Sequence, residues 1–286
     1  MSFGDLTRIN TNVQSLRAYN QLQHTNSRLN DHQLRLATGR RINQAADDSA
    51  GFALSKKLEA RIRGQRQAQD NIGDAQSMLT VAESATTTMM DIVQSMKEKV
   101  VQARNDSMGE DERELIQGYI DEMALELQDL ADHSEFNGVS LLNGTAGILN
   151  FQVGAGTADG DVFSVEIPDF SPDNAAFGDG TVAIEDIVVD NDDADRETAL
   201  GAIDGAIDFL SAQIAQIGDA QNRLSFKEQN LATSTDNYEA AKSRIMDADF
   251  AKEQMELVKQ QILQETGNAA LAQSNAAPQS VLSLLQ

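Results

Sequence analysis

The chain of 286 residues contains no cysteine and no tryptophan. Disulfide scaffolds, thiolate zinc sites and cysteine nucleophiles are therefore excluded. Proline occurs only at Pro168, Pro172 and Pro278, so the first 167 residues lack the residue that most readily breaks a helix. Aromatic side chains make up 5% of the chain, which is thin for a conventional globular core. Basic residues are in short supply: 22 Lys and Arg stand against 45 Asp and Glu, a net charge of −23. Such a balance repels phosphate and argues against nucleic-acid binding. No apolar run reaches the ~18 residues a membrane span needs. Residues 1–20 lack the apolar stretch and small-residue cleavage site of a secretory signal peptide, so none is expected.

The basic residues that are present cluster. Residues 1–66 carry 11 basic and 5 acidic side chains, whereas residues 67–133 carry 4 and 15 and residues 134–198 carry 1 and 14. Charge patterning thus gives a basic N-terminal arm and an acidic middle.

Turn chemistry is concentrated in one island, residues 134–198, which holds 8 of the 19 glycines and two of the three prolines. Within it, Leu149–Val153, Val162–Ile167, Val182–Ile184 and Ile187–Val189 read as short strands between Gly and Asp turns, predicting a few hairpins. Helical spacing dominates on either side. Ile203, Leu210, Ile217, Leu224, Leu231, Tyr238 and Ile245 recur every seventh residue, while the companion positions turn polar at Gln221, Glu228, Thr235 and Lys242. A helix over 203–245 is about 63 Å long and must pair lengthwise with others. Ile72, Ala75, Leu79, Ala82, Thr86, Met89, Val93, Met96, Val100 and Ala103 make a second seam. The run 105–109 breaks it, and Ser107 with Glu110 has capping-box spacing before a third helix through Ile116, Ile120, Met123, Leu127 and Leu130. The short break makes these two helices antiparallel neighbours. The ends, with Leu22, Leu29 and Leu36, and with Phe250, Leu257, Val258, Ile262 and Leu263, are weakly amphipathic and need a partner to be stable. The expected fold is therefore mainly α: a long antiparallel helical coiled-coil bundle with a small β-hairpin region in mid-chain.

Catalytic signals are poor. His24, His32 and His133 stand apart, Gly154-Ala155-Gly156 lacks the further glycine of a dinucleotide loop, and the acidic run from Asp190 to Asp195 lacks two features of a calcium loop. No enzyme, metal or cofactor is expected. Asp47 and Asp48, before a helix, suit capping of orphan amides. Arg40 and Arg41 suit a carboxylate on a neighbour.

Several motifs together resemble bacterial flagellins. Ile9-Asn10-Thr11-Asn12 matches the family's opening motif. Leu34 through Asn43, with Arg40, Arg41 and Ile42, resembles "RLSSGLRIN", and Ala46 through Gly51, with Asp47 and Asp48, resembles "DDAAG". Phe136-Asn137-Gly138 and Leu141-Leu142-Asn143-Gly144 match another signature. Ser243 through Ala251, with Arg244, Ile245, Asp247 and Asp249, resembles "SRIEDADYA", and Pro278 through Leu285, with Val281, Leu282 and Leu284, completes the set. The resemblance covers about residues 5–155 and 199–286.

It implies a structural subunit of the extracellular flagellar filament used for swimming. Residues 1–45 with 247–286 would form the inner filament core, and residues 46–246 the outer helical bundle that includes the island. It also implies unfolded export through the flagellar type III apparatus. A cytoplasmic export chaperone would cover the C-terminal segment at Phe250, Leu257, Ile262 and Leu263. Hook-associated and filament-cap proteins would be further partners. The stretch recognised by Toll-like receptor 5 falls on Gln94, Met96, Glu98 and Gln102. Ser95 and Lys99 replace two of the family's residues there, so weak recognition is expected. A hook–filament junction protein and an enzymatic module on a helical stalk are the alternatives. The first typically carries Asp-Asp-Pro where this chain has Asp47-Asp48-Ser49, and the second has little room in the island.

Overall fold

A computed structural model describes residues 11–177, 180, 182–189 and 192–283, with residues 277–283 as backbone only. Five long helices account for most of it: α1 (Val13–Thr38), α2 (Ser49–Ala103), α3 (Glu110–His133), α4 (Asp193–Met246) and α5 (Phe250–Ser283). The fold is mainly α, as the periodicity requires. The chain divides into two compact units, one of residues up to 60 with those from 237 onward, the other of residues 61–236. The divisions fall inside α2 and α4.

In the second unit the core follows the heptads. Ile72, Ala75, Leu79, Ala82, Thr86, Met89, Val93, Met96, Val100 and Ala103 of α2 are all wholly buried. Ile203, Leu210, Ile217, Leu224 and Leu231 of α4 meet them, with Ile116, Ile120 and Leu127 of α3. Thr86 stays satisfied in this dry seam by donating to the Ala82 carbonyl at 2.7 Å. The α2–α4 pairing is antiparallel: Gln65 meets Ser234 (3.0 Å), Glu83 meets Gln221 (2.9 Å) and Lys97 meets Asp204 (2.6 Å). Two of the polar companion positions of α4, Gln221 and Thr235, thus find polar partners on α2. Buried Thr235 donates its hydroxyl to Gln65 Oε1 at 3.3 Å.

The α2–α3 connection is a tight turn tied by Arg113 Nε donating to the Ala103 carbonyl at 3.1 Å. The cap differs from the predicted one. Gly109, not Ser107, is the N-cap of α3, and the Glu112 carboxylate accepts the Gly109 amide at 2.9 Å. Only this half of a capping box forms, because glycine has no side chain to reciprocate.

The island supplies two hairpins. In the first, β1 (Glu135–Phe136) and β2 (Val139–Ser140) pair antiparallel around Asn137 (φ 52°) and Gly138 (φ 79°). Two consecutive left-handed residues are what a two-residue hairpin turn demands, which explains the Asn-Gly pair. Leu141 and Leu142 then drop into the core, fully buried. In the second, β3 (Ile148–Gln152) pairs antiparallel with β4 (Val162–Glu166), Asn150 opposite Ser164. The predicted strands at Val182–Ile184 and Ile187–Val189 do not form among the described residues. Ile184–Asp186 is a short 3-10 turn, and Ile184, Ile187 and Val189 are buried individually. The Gln117 side chain takes the place of a strand partner: its Nε2 donates to the Ile187 carbonyl at 2.8 Å and its Oε1 accepts the Val189 amide at 2.6 Å. Phe170, Phe177 and Phe209 form an aromatic cluster with centroids 5.5 to 6.4 Å apart.

Candidate functional site

The first unit is built from two helices of modest apolar content. α1 and α5 run antiparallel, with Ser15 Oγ on Asn275 Oδ1 (2.7 Å), Asn26 Oδ1 accepting from Gln264 Nε2 (2.8 Å) and His32 Nδ1 on Glu253 Oε2 (2.5 Å). Arg35 lies 3.7 Å from the other Glu253 oxygen. Thr25, Glu253 and Gln260 are buried between the helices; of the apolar seam residues Leu29 is buried while Leu22, Leu36 and Leu257 are half-covered. Larger apolar groups point outward instead. On α5, Met255 (68% exposed), Val258 (44%) and Ile262 (59%) follow one another at helical spacing, and Leu16, Tyr19 and Leu34 of α1 are about half exposed. A two-helix pair with a mixed polar and apolar seam and large apolar groups outside is an incomplete core.

The loop between α1 and α2 carries six of the motif residues, Arg40, Arg41, Ile42, Asn43, Asp47 and Asp48. Gly39 ends α1 in the left-handed conformation (φ 68°). From there the backbone pairs with the α4–α5 junction: the Arg41 amide donates to the Met246 carbonyl (2.7 Å), the Ala248 amide to the Gly39 carbonyl (2.9 Å), and Arg40 forms an antiparallel bridge with Asp247. The Arg41 guanidinium donates to the Ile245 carbonyl at 2.7 Å. A cation there satisfies the last carbonyls of α4 and complements its negative end. Arg41 is therefore engaged within its own chain, whereas the Arg40 side chain is exposed. Ile42 is buried, with Asn43 Nδ2 bonded to the Arg40 carbonyl at 3.0 Å.

The two aspartates divide their tasks. Asp48 caps α2 by accepting the Gly51 amide at 2.9 Å. Asp47 turns back into the loop and accepts the Gln44 (3.0 Å) and Asn43 (2.9 Å) amides. Those amides, Gln44 foremost, hold its carboxyl below the ordinary aspartate range. A carboxyl lowered in the folded state stabilises above its unfolded value, and loses that contribution as pH falls through the folded one. The loop is thus fully stabilised at neutral pH and released in acid. In Asp47→Asn this acid step vanishes from the Asn43 and Gln44 amide shifts followed by NMR; an Asp47 carboxyl titrating at the ordinary aspartate value would contradict the assignment.

The remaining motif residues fall around this frame. Asn12 caps α1, its Oδ1 accepting the Ser15 amide (3.0 Å) while its Nδ2 donates to the Ser274 carbonyl (2.8 Å). Asp249 caps α5 through the Ala251 amide at 3.0 Å. Thr11, Leu34 and Arg244 are exposed and Ile245 is half-buried. Val281 and Leu282 continue the backbone of α5, and Ile9, Asn10, Leu284 and Leu285 lie outside the described residues. Phe250, Ile262 and Leu263 are exposed, whereas Leu257 is half-covered. In the second unit Gln94, Glu98 and Gln102 share an exposed face of α2, but Met96 is fully buried in the heptad seam and cannot meet a partner there.

The His32–Glu253–Arg35 cluster escaped the motif reading. Its signal was present: His32 continues the seven-residue beat of Thr25 at the position next to Leu29 and Leu36. Among the described residues no three His, Asp or Glu side chains are grouped to hold a metal, and no helix is long and apolar enough to cross a membrane.

Comparison with known proteins matches both helical halves. Family models described as the bacterial flagellin N-terminal helical region and the bacterial flagellin C-terminal helical region cover residues 9–147 and 200–285. A flagellin of Bacillus subtilis is 36% identical, across 98% of this chain and 100% of its own. The flagellar filament 33 kDa core protein of Treponema phagedenis is 34% identical, across 97% of this chain and 99% of its own. A solved structure described as a flagellar hook-associated protein of Vibrio parahaemolyticus shares the fold, with a TM-score of 0.61 at 15% identity over 70% of this chain and 100% of that one.

Proposed function

Because this chain belongs to the bacterial flagellin family, and so is a structural, non-enzymatic subunit that polymerises into the extracellular flagellar filament, we propose a division of labour among its segments. Residues 1–45 with 247–286 form the inner layer of the filament, and residues 46–246 form the layer around it. The observation that carries this reading is the α1–α5 pair, with His32, Glu253 and Gln260 among the leucines between its helices and Met255, Val258 and Ile262 outside. Apolar side chains left in water on a helix pair gain most when other copies cover them.

By resemblance to the family, the motif at Ile9–Asn12 and the Val281–Leu285 run take part in the same assembly. Before assembly that surface needs cover. An export chaperone takes Phe250, Leu257, Ile262 and Leu263 once α5 is free of α1, since Leu257 is half-covered in the folded pair. The chain leaves the cell unfolded through the type III apparatus, and hook-associated and cap proteins engage the same terminal faces at the filament ends. Toll-like receptor 5 reads the exposed Gln94, Glu98 and Gln102 only weakly. A reporter response equal to that of an enterobacterial flagellin would refute that last point.

Seeded polymerisation followed by negative-stain electron microscopy tests the reading. Long filaments are expected; growth that stops at a ring would indicate a junction protein. The two arginines are separable in the same assay. Arg40→Glu lowers filament yield with monomer helicity unchanged, because its side chain is exposed and open to a neighbour's carboxylate. Arg41→Glu lowers both, because it removes the cation from the α4 terminus and places an anion there, at a cost of about 1 kcal/mol or more. Equal filament yields for Arg40→Glu and the unaltered chain would remove Arg40 from the interface.

A further inference from the structure

Three large apolar side chains of the second unit stand out from its surface more than any others described there: Leu115 (77% exposed), Phe226 (72%) and Leu125 (63%). They fall on two helix faces of opposite character. On α3, Leu115 and Leu125 flank Gly118, which lies on the same face one turn from the first and two from the second. A Cβ at Gly118 would meet nothing within 4 Å. The glycine is not imposed by internal crowding, and it leaves a hollow between two leucines. Carboxylates surround the hollow: Glu114, Asp121 and Glu122 lie within the same face and are exposed. On α4, Phe226 projects as a single knob. Asn222 and Asn230 lie one turn before and after it, Arg223 and Lys227 line one flank, and Glu228 points to the opposite side. The Arg223 and Lys227 cations sit 4.6 and 6.0 Å from the Phe163 ring centroid, which anchors this basic flank in place.

We propose that Phe226 of one subunit seats in the Leu115–Gly118–Leu125 hollow of a second copy of this chain. The inference rests on the polymerising function given above and adds a specific contact to it. Knob and hollow are complementary in shape: an aromatic ring fills the space a side chain at position 118 would occupy. They are complementary in charge, a basic flank against an acidic rim. They lie on different helices of the same unit, so the contact joins unlike patches and repeats from copy to copy. A head-to-tail contact of that kind extends into an open helical polymer when its rotation does not close. Solvent exposure of a phenyl ring and two leucines on a monomer is unfavourable, and mutual burial recovers it.

The native chain has no cysteine, so a thiol pair reports the contact cleanly. Glu122→Cys and Asn222→Cys, combined in one chain and treated with a short bis-maleimide, link neighbouring subunits in assembled filaments and leave monomers unlinked. Both residues are exposed and lie beside the contact rather than in it, so the changes spare the fold and leave the Gly118 hollow open. Phe226→Ala keeps monomer helicity by circular dichroism and raises the critical concentration for seeded growth about tenfold or more. Filaments of the double-cysteine chain that give no inter-subunit product overturn the proposal, as does an unchanged critical concentration for Phe226→Ala. Cross-linking to an accessory protein instead of a second copy also overturns it. Failure of the unaltered chain to grow filaments would remove the polymerising function itself, and this contact with it.

Discussion

Met255→Glu, Val258→Glu and Ile262→Glu combined abolish seeded filament growth while leaving the monomer's helical content unchanged. The three residues share one face of α5 and are 68, 44 and 59% exposed in the single chain. Glutamate is as good a helix former as methionine and better than valine or isoleucine, so α5 itself does not suffer. Nor does the α1–α5 seam, whose contacts run through Glu253, Gln260 and Gln264 on the other face. In the layering proposed above, the same positions meet neighbouring copies in the filament. Each apolar side chain forgoes up to about 1.5–3 kcal/mol of burial, and each carboxylate brings a desolvation penalty of several kcal/mol if it finds no partner. A loss of only about 4 kcal/mol already raises the critical concentration roughly a thousandfold. Circular dichroism and seeded growth together check this. Filaments forming at the native concentration would place the assembly contacts on another face.

Phe170→Ala has the largest expected effect on the second unit. Phe170 is fully buried, 5.5 Å from the Phe209 ring and 6.4 Å from Phe177, with its amide bonded to the Leu142 carbonyl at 2.8 Å. Truncation leaves a cavity where three rings met, costing about 3–5 kcal/mol. The urea midpoint falls accordingly, with the slope preserved. Val188→Ala, at a residue 49% exposed in the same island, stays within about 0.5 kcal/mol and serves as the control. A Phe170→Ala midpoint no lower than that of Val188→Ala would show that the aromatic cluster is not a stabilising centre.

The helices were legible because periodicity carries them. The ten seam positions read in α2 are buried without exception, and so are the apolar heptads of α4 from Ile203 to Leu231. The β3–β4 hairpin was legible too, since turn residues bracket it. Partners distant in the chain were not. The 182–189 segment has the composition of a strand, yet a strand requires a second backbone, and here the Gln117 amide satisfies the two groups instead. No pattern in 182–189 points to a glutamine 70 residues earlier. The same limit applies to the motif loop. Asp48 as a cap follows from local sequence, but Asp47 bonding its own loop and Arg41 serving the carbonyl end of α4 depend on how the chain returns. Ser107 lost the cap to Gly109 because α3 begins later than its spacing suggested.

The apolar outer face of the α1–α5 pair has a thermal consequence. Folding the lone pair covers little apolar surface, so its melting absorbs little extra heat capacity. If assembly covers the rest, as proposed above, filament growth carries a large negative heat-capacity change and is driven mainly by entropy near room temperature. Such a polymer loosens on cooling as well as on strong heating. Calorimetry of seeded growth at several temperatures should show enthalpy falling steadily as temperature rises; a flat enthalpy would mean that the outward face of α5 stays wet in the filament.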